Sequence, residues 1–147
     1  MSSKFERDSL RIINANFNRA KEGLRVCEEI CRFHLNSRLL SRRLNILRHN
    51  LTNIVINSGL EMEMLLEARD SKQDCGKNFS FGPGRKNFKA VLNANAQRVK
   101  EALRVLEEFF KPFDKGTPKK IQKLRFQFYE FEKKVMDKFR ALSHTGY

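Results

Sequence analysis

The sequence predicts an all-α protein, a four-helix bundle built from two related helical hairpins, on three observations. First, the sixteen residues at 14–29 return at 93–108, 79 positions later, with eleven of the sixteen identical. Second, apolar residues in both copies recur at alternating steps of four and three, the period of a buried helical stripe. Third, no alternating strand pattern of useful length appears in the 147 residues.

We therefore expect a single domain over residues 1–147. Its parts are repeat 1 over about 9–59, a central segment over about 60–87, and repeat 2 over about 88–143.

The first hairpin consists of two long helices. The first helix is predicted over about residues 9–35, with Asp8 or Ser9 as its N-cap. A turn at Asn36 and Ser37 leads to a second helix, which ends in the polar stretch at 57–59. A turn this short between long amphipathic helices predicts an antiparallel pair.

The central segment differs in character from the hairpins. Residues 60–68 form a short acidic amphipathic stretch that predicts one or two turns of helix. Residues 69–87 have no sustained period, and a loop of this length is usually functional or disordered. Within it, Gly82-Pro83-Gly84 lacks the Lys-Ser/Thr that completes a phosphate-binding Walker motif, so a plain turn is the expected role.

The second hairpin repeats the first. A helix is predicted over 88–110, stopped by Pro112, and the last helix carries Pro118 in its first turn. Leu47-Arg48 and Leu124-Arg125 are equivalent positions in the second helix of each hairpin, at an offset of 77.

On a helical wheel, two polar residues in each copy fall among the apolar residues that are expected to be buried. They are Asn16 and Arg19 in the first copy and Asn95 and Arg98 in the second. A polar group on a burying face costs a few kcal/mol unless it is paired. One turn further on, Gly23 or Ala102 leaves room for something to approach the helix. A functional role and a structural one, such as capping a neighbouring helix, both remain open. The opposite face, which includes Asn14 and Glu28, is expected to be solvated.

The formal net charge of +13 suggests nucleic acid, an acidic membrane or a small phosphorylated substrate as partner. The 17 acidic residues are mixed among the bases, and no run of five or six bases occurs. Most of the 13 phenylalanines, among them Phe128, Phe131 and Phe139, fall on helical core spacing, which indicates packing and not stacking on bases. A diffuse basic surface is the simplest interpretation.

The cysteines and the first residues predict a cytoplasmic protein without a membrane segment. Three cysteines without a framework spacing fit a reduced cytosol. Cys27 and Cys31 could bind a metal at their i, i+4 spacing, but Leu106 replaces Cys27 in the other copy, which favours small core residues. The N-terminal MSSKFERDS lacks an apolar signal core, and no apolar run approaches the roughly 18 residues of a membrane span.

An ordered set of segments over residues 9–135 resembles a small bacterial thiamine-pathway family, the hydroxymethylpyrimidine phosphate kinases. The segments are NANFNRAKEGLRVCEEICRF, ILRHNL, LLEARDSKQDCG, NANAQRVKEALRVLEEF and KLRFQFYEFEK. Members occur as stand-alone domains or as N-terminal fusions to thiamine-phosphate synthase. The resemblance implies that ATP phosphorylates hydroxymethylpyrimidine phosphate to the diphosphate and that the free alcohol is not a substrate. Cys75 departs from the aliphatic residue expected there.

The implied reaction assigns roles to residue types already singled out. A phosphate monoester is largely a dianion at neutral pH and needs cations to hold it, with a metal on the ATP. The catalytic candidates are Arg19, Arg98 and Arg48. The candidates for binding substrate or phosphate are Asn16, Asn95, Arg69, Arg85 and Arg125. The Mg²⁺ candidates are Asp70 and Asp74, followed by Glu22 and Glu101. For each of them, the structural alternative is a surface or inter-helix salt bridge.

Two other functions stay open. One is a non-enzymatic basic module that binds RNA or DNA, which the core-facing angles of Arg19 and Arg98 disfavour. The other is an accessory domain of thiamine-phosphate synthase. The sequence also leaves open whether a second copy completes the site.

Overall fold

The computed structural model describes residues 3–79 and 84–144, and no strand occurs among them, so the all-α prediction is confirmed. The helices are α1 (Lys4–Glu29), α2 (Arg38–Ile56), α3 (Met62–Ala68), α4 (Phe88–Phe110) and α5 (Gly116–His144). A π-helical turn at Ile30–His34 continues α1. The turn expected at Gly82 and Pro83 lies outside the described residues.

The start of α1 differs from the prediction. The helix begins at Lys4, and the Ser3 side chain caps it by accepting a hydrogen bond from the Glu6 amide at 3.1 Å. Asp8 lies inside the helix and pairs with Lys4 at 2.6 Å, one turn away. The predicted cap at Asp8 or Ser9 was therefore wrong, and the polar residues 4–8 form the first turns of the helix.

The turn between α1 and α2 has the predicted residues. Asn36 takes a φ of +51°, in the left-handed region that asparagine tolerates. Ser37 then caps α2 by accepting a hydrogen bond from the Leu40 amide at 3.2 Å. At the same end of the molecule, the His34 ring stacks on Phe88 with 4.2 Å between centroids. The end of the first helix therefore lies beside the start of α4.

The four long helices are linked in a closed order. Contacts join α1 to α4, α4 to α5, α5 to α2 and α2 to α1, while α3 packs on α1. The core between them is filled by leucines and aromatic rings, including the predicted Phe128, Phe131 and Phe139, all buried. In the part of the chain that the structure describes, no helix is long and apolar enough to cross a membrane.

The two copies of the repeated segment pack directly against each other where α1 crosses α4. A Cβ atom added to Gly23 would lie 2.7 Å from Cγ2 of Val99 and 3.2 Å from the carbonyl oxygen of Asn95. The space expected beside this small residue is therefore filled by the partner helix and not by a ligand. At the equivalent positions the second copy has Ala102 and the first has Ala20, both buried.

We expect Gly23→Ala to lower the free energy of unfolding by about 1–3 kcal/mol in the wild-type background, because the added methyl overpacks against the stiff Val99 side chain. In a Val99→Ala background the loss should be smaller. The contact with Cγ2 is then gone and alanine gains about 1 kcal/mol over glycine inside a helix, while the contact with the Asn95 carbonyl oxygen at 3.2 Å remains. Urea unfolding of the four proteins of this cycle measures both effects. An equal loss in both backgrounds would contradict the contact with Val99.

Candidate functional site

A cleft of about 640 Å³ opens between the first half of α1 and the segment that follows α3. We call it the α1 cleft. Five residues singled out from the sequence line it: Asn16, Arg19, Arg69, Asp70 and Asp74. They come from two segments more than fifty residues apart, so the fold brings the helix candidates and the loop candidates to one place.

Two arginines hold the loop segment against α1. Arg69 donates from Nε to Oδ1 of Asn14 at 3.0 Å, and Arg11 donates from Nη2 to the Asp70 carbonyl oxygen at 3.4 Å. Asn14 is therefore buried, although its helical angle predicted a solvated side chain. Arg11 was not among the site residues predicted from the sequence. The sequence feature that could have identified it is its position about two helical turns before Arg19 on α1.

The paired asparagines are satisfied within their own helices. Asn16 donates from Nδ2 to the Ile12 carbonyl oxygen at 2.9 Å, and Asn95 does the same to Val91 at 2.9 Å. This i to i−4 bond explains how an amide is tolerated beside the core in both copies. Neither bond reaches the end of a neighbouring helix, so the capping role considered from the sequence is not the one observed. Asn16 alone of the two lines the α1 cleft.

The duplicated arginines are exposed, although their helical angles predicted a position toward the core. The direction of Cα–Cβ does not fix where a long side chain ends, because arginine extends its charged head past the edge of an apolar stripe to water. Arg19 reaches the α1 cleft. Arg98 lies on α4 and does not line that cleft, and neither does the exposed Arg85.

Each loop carboxylate accepts a backbone hydrogen bond through one of its oxygens. Oδ1 of Asp70 accepts from the Gln73 amide at 3.1 Å and Oδ1 of Asp74 accepts from the Gly76 amide at 2.9 Å. Both residues are exposed in the cleft. Across residues 3–79 and 84–144, no group of three or more His, Cys, Asp or Glu side chains could hold a metal ion. The secondary candidates Glu22 and Glu101 are exposed and lie outside the cleft lining.

Arg48 and Arg125 form inter-helix ion pairs. Nε of Arg48 lies 3.2 Å from Oε2 of Glu28, and Nε of Arg125 lies 2.5 Å from Oε2 of Glu107. Both glutamates are buried, so the expectation that Glu28 is solvated was wrong. Neither arginine lines the α1 cleft. For this pair the geometry supports the structural alternative over the catalytic or phosphate-binding role assigned from the sequence.

The buried cysteines behave as core residues. Burial is the main cause that raises the pKa of the Cys27 thiol to about 12, followed by its neighbours Cys31 and Glu132. Burial and the nearby Glu28 raise the pKa of Cys31 to about 12. Both are protonated thiols at neutral pH and lie in the core between the helices. The small-core-residue interpretation therefore fits the structure.

The second copy builds different surroundings for the same residues. Asn93, the equivalent of the buried Asn14, is exposed and lies in a groove of α5 that also holds Glu132, Lys133, Asp137 and Arg140. In this groove Glu132 pairs with Lys100 at 3.0 Å and Asp137 pairs with Arg140 at 3.3 Å. The segment that forms the outer wall of the α1 cleft follows α3 and occurs once in the chain. The second groove therefore has its own cations and carboxylates, but neither Asn95 nor Arg98 lines it.

Comparisons with known proteins agree on one family. The model of the ThiD2 family matches residues 11–134. Curated relatives named thiamine-phosphate synthase include those of Nostoc punctiforme (39% identical over 128 residues, 86% of this chain and 35% of the relative) and Synechocystis (40% over 124 residues, 83% and 34%). The thiamine-phosphate synthase of Rhodopirellula baltica is 37% identical over 131 residues, 88% of this chain and 34% of the relative.

The chain spans about a third of the length of these relatives. No solved structure matches the chain.

We expect Arg125→Met to lower the free energy of unfolding by about 3 kcal/mol, because it removes the nearest partner of the buried Glu107 carboxylate and leaves it with the exposed Arg104 at 3.8 Å. The double variant Arg125→Met with Glu107→Leu should recover most of this loss. Lys111→Met, which removes an exposed pair with Glu108, is the matched control and should cost less than about 1 kcal/mol. Urea unfolding provides the measurement. A double variant no more stable than the single one would contradict the buried pair.

Proposed function

Because the chain belongs to the ThiD2 family, we propose that it acts in thiamine biosynthesis and phosphorylates hydroxymethylpyrimidine phosphate to the diphosphate, with ATP as donor. The observation that carries the proposal is the α1 cleft, which gathers arginines and carboxylates from α1 and the loop. The relatives named thiamine-phosphate synthase support the pathway, and the resemblance of the ordered segments supports the reaction.

The charges of the cleft suit this chemistry. The acceptor is a phosphate monoester with a second pKa of about 6, so it is largely a dianion at neutral pH and requires no general base. One of its oxygens forms the new bond to the γ-phosphorus of ATP while the bond to the β-phosphate oxygen breaks and ADP leaves. Arg11, Arg19 and Arg69 supply the positive charge that two mutually repelling phosphates require.

The loop carboxylates fit a magnesium ion. Mg²⁺ keeps several waters and usually takes one or two carboxylates together with substrate phosphates, so a dedicated cage of three or four side chains is not required. Asp70 and Asp74 would hold it with the oxygens that their backbone hydrogen bonds leave free. When bound, the ion neutralises charge on the β- and γ-phosphates and orients them.

Asn16 is the candidate for the pyrimidine ring. Its Nδ2 bond to Ile12 fixes the amide, and Oδ1 remains an acceptor at the cleft. The amino group of the pyrimidine ring donates hydrogen bonds, so it can pair with this acceptor oxygen. A phosphate dianion only accepts hydrogen bonds and could not. The proposed site leaves out the candidates that do not line the cleft. These are Arg98, Asn95, Arg48, Arg125 and Arg85.

A second candidate is an accessory domain of thiamine-phosphate synthase without chemistry of its own. It is favoured by the match to about a third of proteins that carry that name. The kinase and accessory-domain proposals predict different results in one experiment. It measures ADP release by the isolated chain in the presence of ATP, Mg²⁺ and hydroxymethylpyrimidine phosphate. Release with the monophosphate and none with the free alcohol supports the kinase. Absence of release, together with stimulation of a separate synthase, supports the accessory role.

We expect Arg19→Gln and Arg69→Gln to lower kcat/KM for the monophosphate by about 100-fold or more, since each removes a charge that stabilises the transferring phosphoryl group. Arg98→Gln is the matched control, because it is the same change at the equivalent position of the second copy and should leave activity close to wild type. Circular dichroism checks that all three fold. Equal losses in Arg19→Gln and Arg98→Gln would show that the reaction does not belong to the first half alone.

We further expect Asp70→Asn and Asp74→Asn to raise the Mg²⁺ concentration that gives half-maximal activity by about tenfold, with a smaller effect at saturating metal. Each change replaces an anionic oxygen ligand by a neutral one. Glu22→Gln, outside the cleft, serves as control. An unchanged Mg²⁺ dependence in both aspartate variants would remove these residues from the metal site.

A further inference from the structure

A second cleft, of about 580 Å³, lies at the turn between α1 and α2. We call it the turn cleft. Three arginines line it, Arg32, Arg38 and Arg42, and all three are exposed. Among the residues that the structure describes, no carboxylate lies within ion-pair distance of any of them.

The carboxylate in the lining is already neutralised. Glu28 accepts hydrogen bonds from Asn45 at 3.1 Å and from Arg48 at 3.2 Å. Its charge is therefore taken up by these partners. Within residues 3–79 and 84–144 the three arginines have no carboxylate of their own, and the Arg32 guanidinium lies 4.9 Å from the centre of the Phe33 ring. The α1 cleft has a different balance, because Asp8, Asp70 and Asp74 accompany its cations. That mixture suits a metal-bound phosphate, whereas the turn cleft suits an anion that brings no metal.

The other half of the chain carries basic residues at the equivalent positions and a carboxylate at the turn. The residues equivalent to the three arginines are Lys111, Lys115 and Lys119. The residue equivalent to Ser37 is Asp114, which accepts hydrogen bonds from the Gly116 amide at 2.9 Å and from the Thr117 hydroxyl. These bonds, and the charge of Lys120, lower the pKa of the Asp114 carboxyl, so it is ionised at neutral pH.

Basic residues are thus kept in both halves, while a carboxylate at the turn position, bonded to Gly116 and Thr117, is present only in the second. In the first half the position holds a neutral serine beside an open cleft. We propose that the turn cleft is a second anion site, which binds the phosphoryl group of a small molecule without a metal ion. Arginine forks match phosphate oxygens in a bidentate geometry.

This site is separate from the α1 cleft. Asn16 and Glu28 lie twelve residues apart on α1, which corresponds to roughly 18 Å at 1.5 Å per residue. No residue lines both clefts. The inference therefore does not depend on the proposed kinase reaction, and the two can fail independently.

The test follows the backbone amides of residues 37–41 by ¹⁵N NMR while inorganic phosphate, and then pyrophosphate, is added at constant ionic strength against potassium chloride. We expect saturable shifts at these amides in the wild-type protein. Ser37→Asp, which places the carboxylate of the second half in the first, should weaken binding at least tenfold. Aspartate is as good an N-cap as serine, so the fold should be kept.

Arg42→Gln should weaken binding in the same way and gives the answer even if Ser37→Asp does not fold. Lys119→Gln, the equivalent change in the second half, should not weaken it. The proposal is overturned if no saturable shift occurs at residues 37–41, or if shifts appear only at the α1 cleft. It is also overturned if Ser37→Asp binds phosphate as the wild type does, or if an oligonucleotide saturates the site while phosphate and pyrophosphate do not.

Discussion

The close crossing of α1 and α4 is the constraint on which the rest of the structure depends. A glycine at position 23 lets the two helices approach until Val99 occupies the place of a side chain. Interiors pack as densely as organic crystals, so such a contact fixes both the separation and the register of two helices. Once α1 is fixed against α4, its remaining faces are available to α2, to α3 and to the loop that closes the α1 cleft. The residues at the equivalent positions, Ala20 and Ala102, are also small and are buried.

Each hairpin is then locked by the same buried ion pair, between Glu28 and Arg48 in one half and between Glu107 and Arg125 in the other. A buried carboxylate has a satisfactory partner in only one register, because sliding the second helix by a residue would leave two charges unpaired in the interior. The duplication therefore kept these polar residues for positioning. Their retention in both copies is explained by folding and requires no shared chemistry.

The sequence predicts most of the helices because their signals are local. The apolar period and Pro112 place α4 at the observed bounds, and Asn36 and Ser37 mark the turn before α2. The prediction is weaker where a residue's role depends on a distant partner. Glu28 is buried because Arg48 lies across from it, and Asn14 is buried because Arg69, fifty-five residues later, reaches it. A helical wheel contains no information about either partner.

The same limit explains why the repeat predicts candidates better than it predicts the site. Both copies inherited the Asn-x-x-Arg pair, and both asparagines make the same bond to their own helix. What differs is the covering of each copy. The first helix is followed by α2, a turn and α3, whose continuation folds back over Asn14 and forms a wall with Asp70 and Asp74. In the second half the corresponding helix continues unbroken as α5, and its side chains, including Glu132 and Asp137, border Asn93 instead. The carboxylates beside the first copy therefore come from a loop, whereas those beside the second copy come from a helix and are paired with Lys100 and Arg140. This asymmetry follows from where the chain interrupts its second helix.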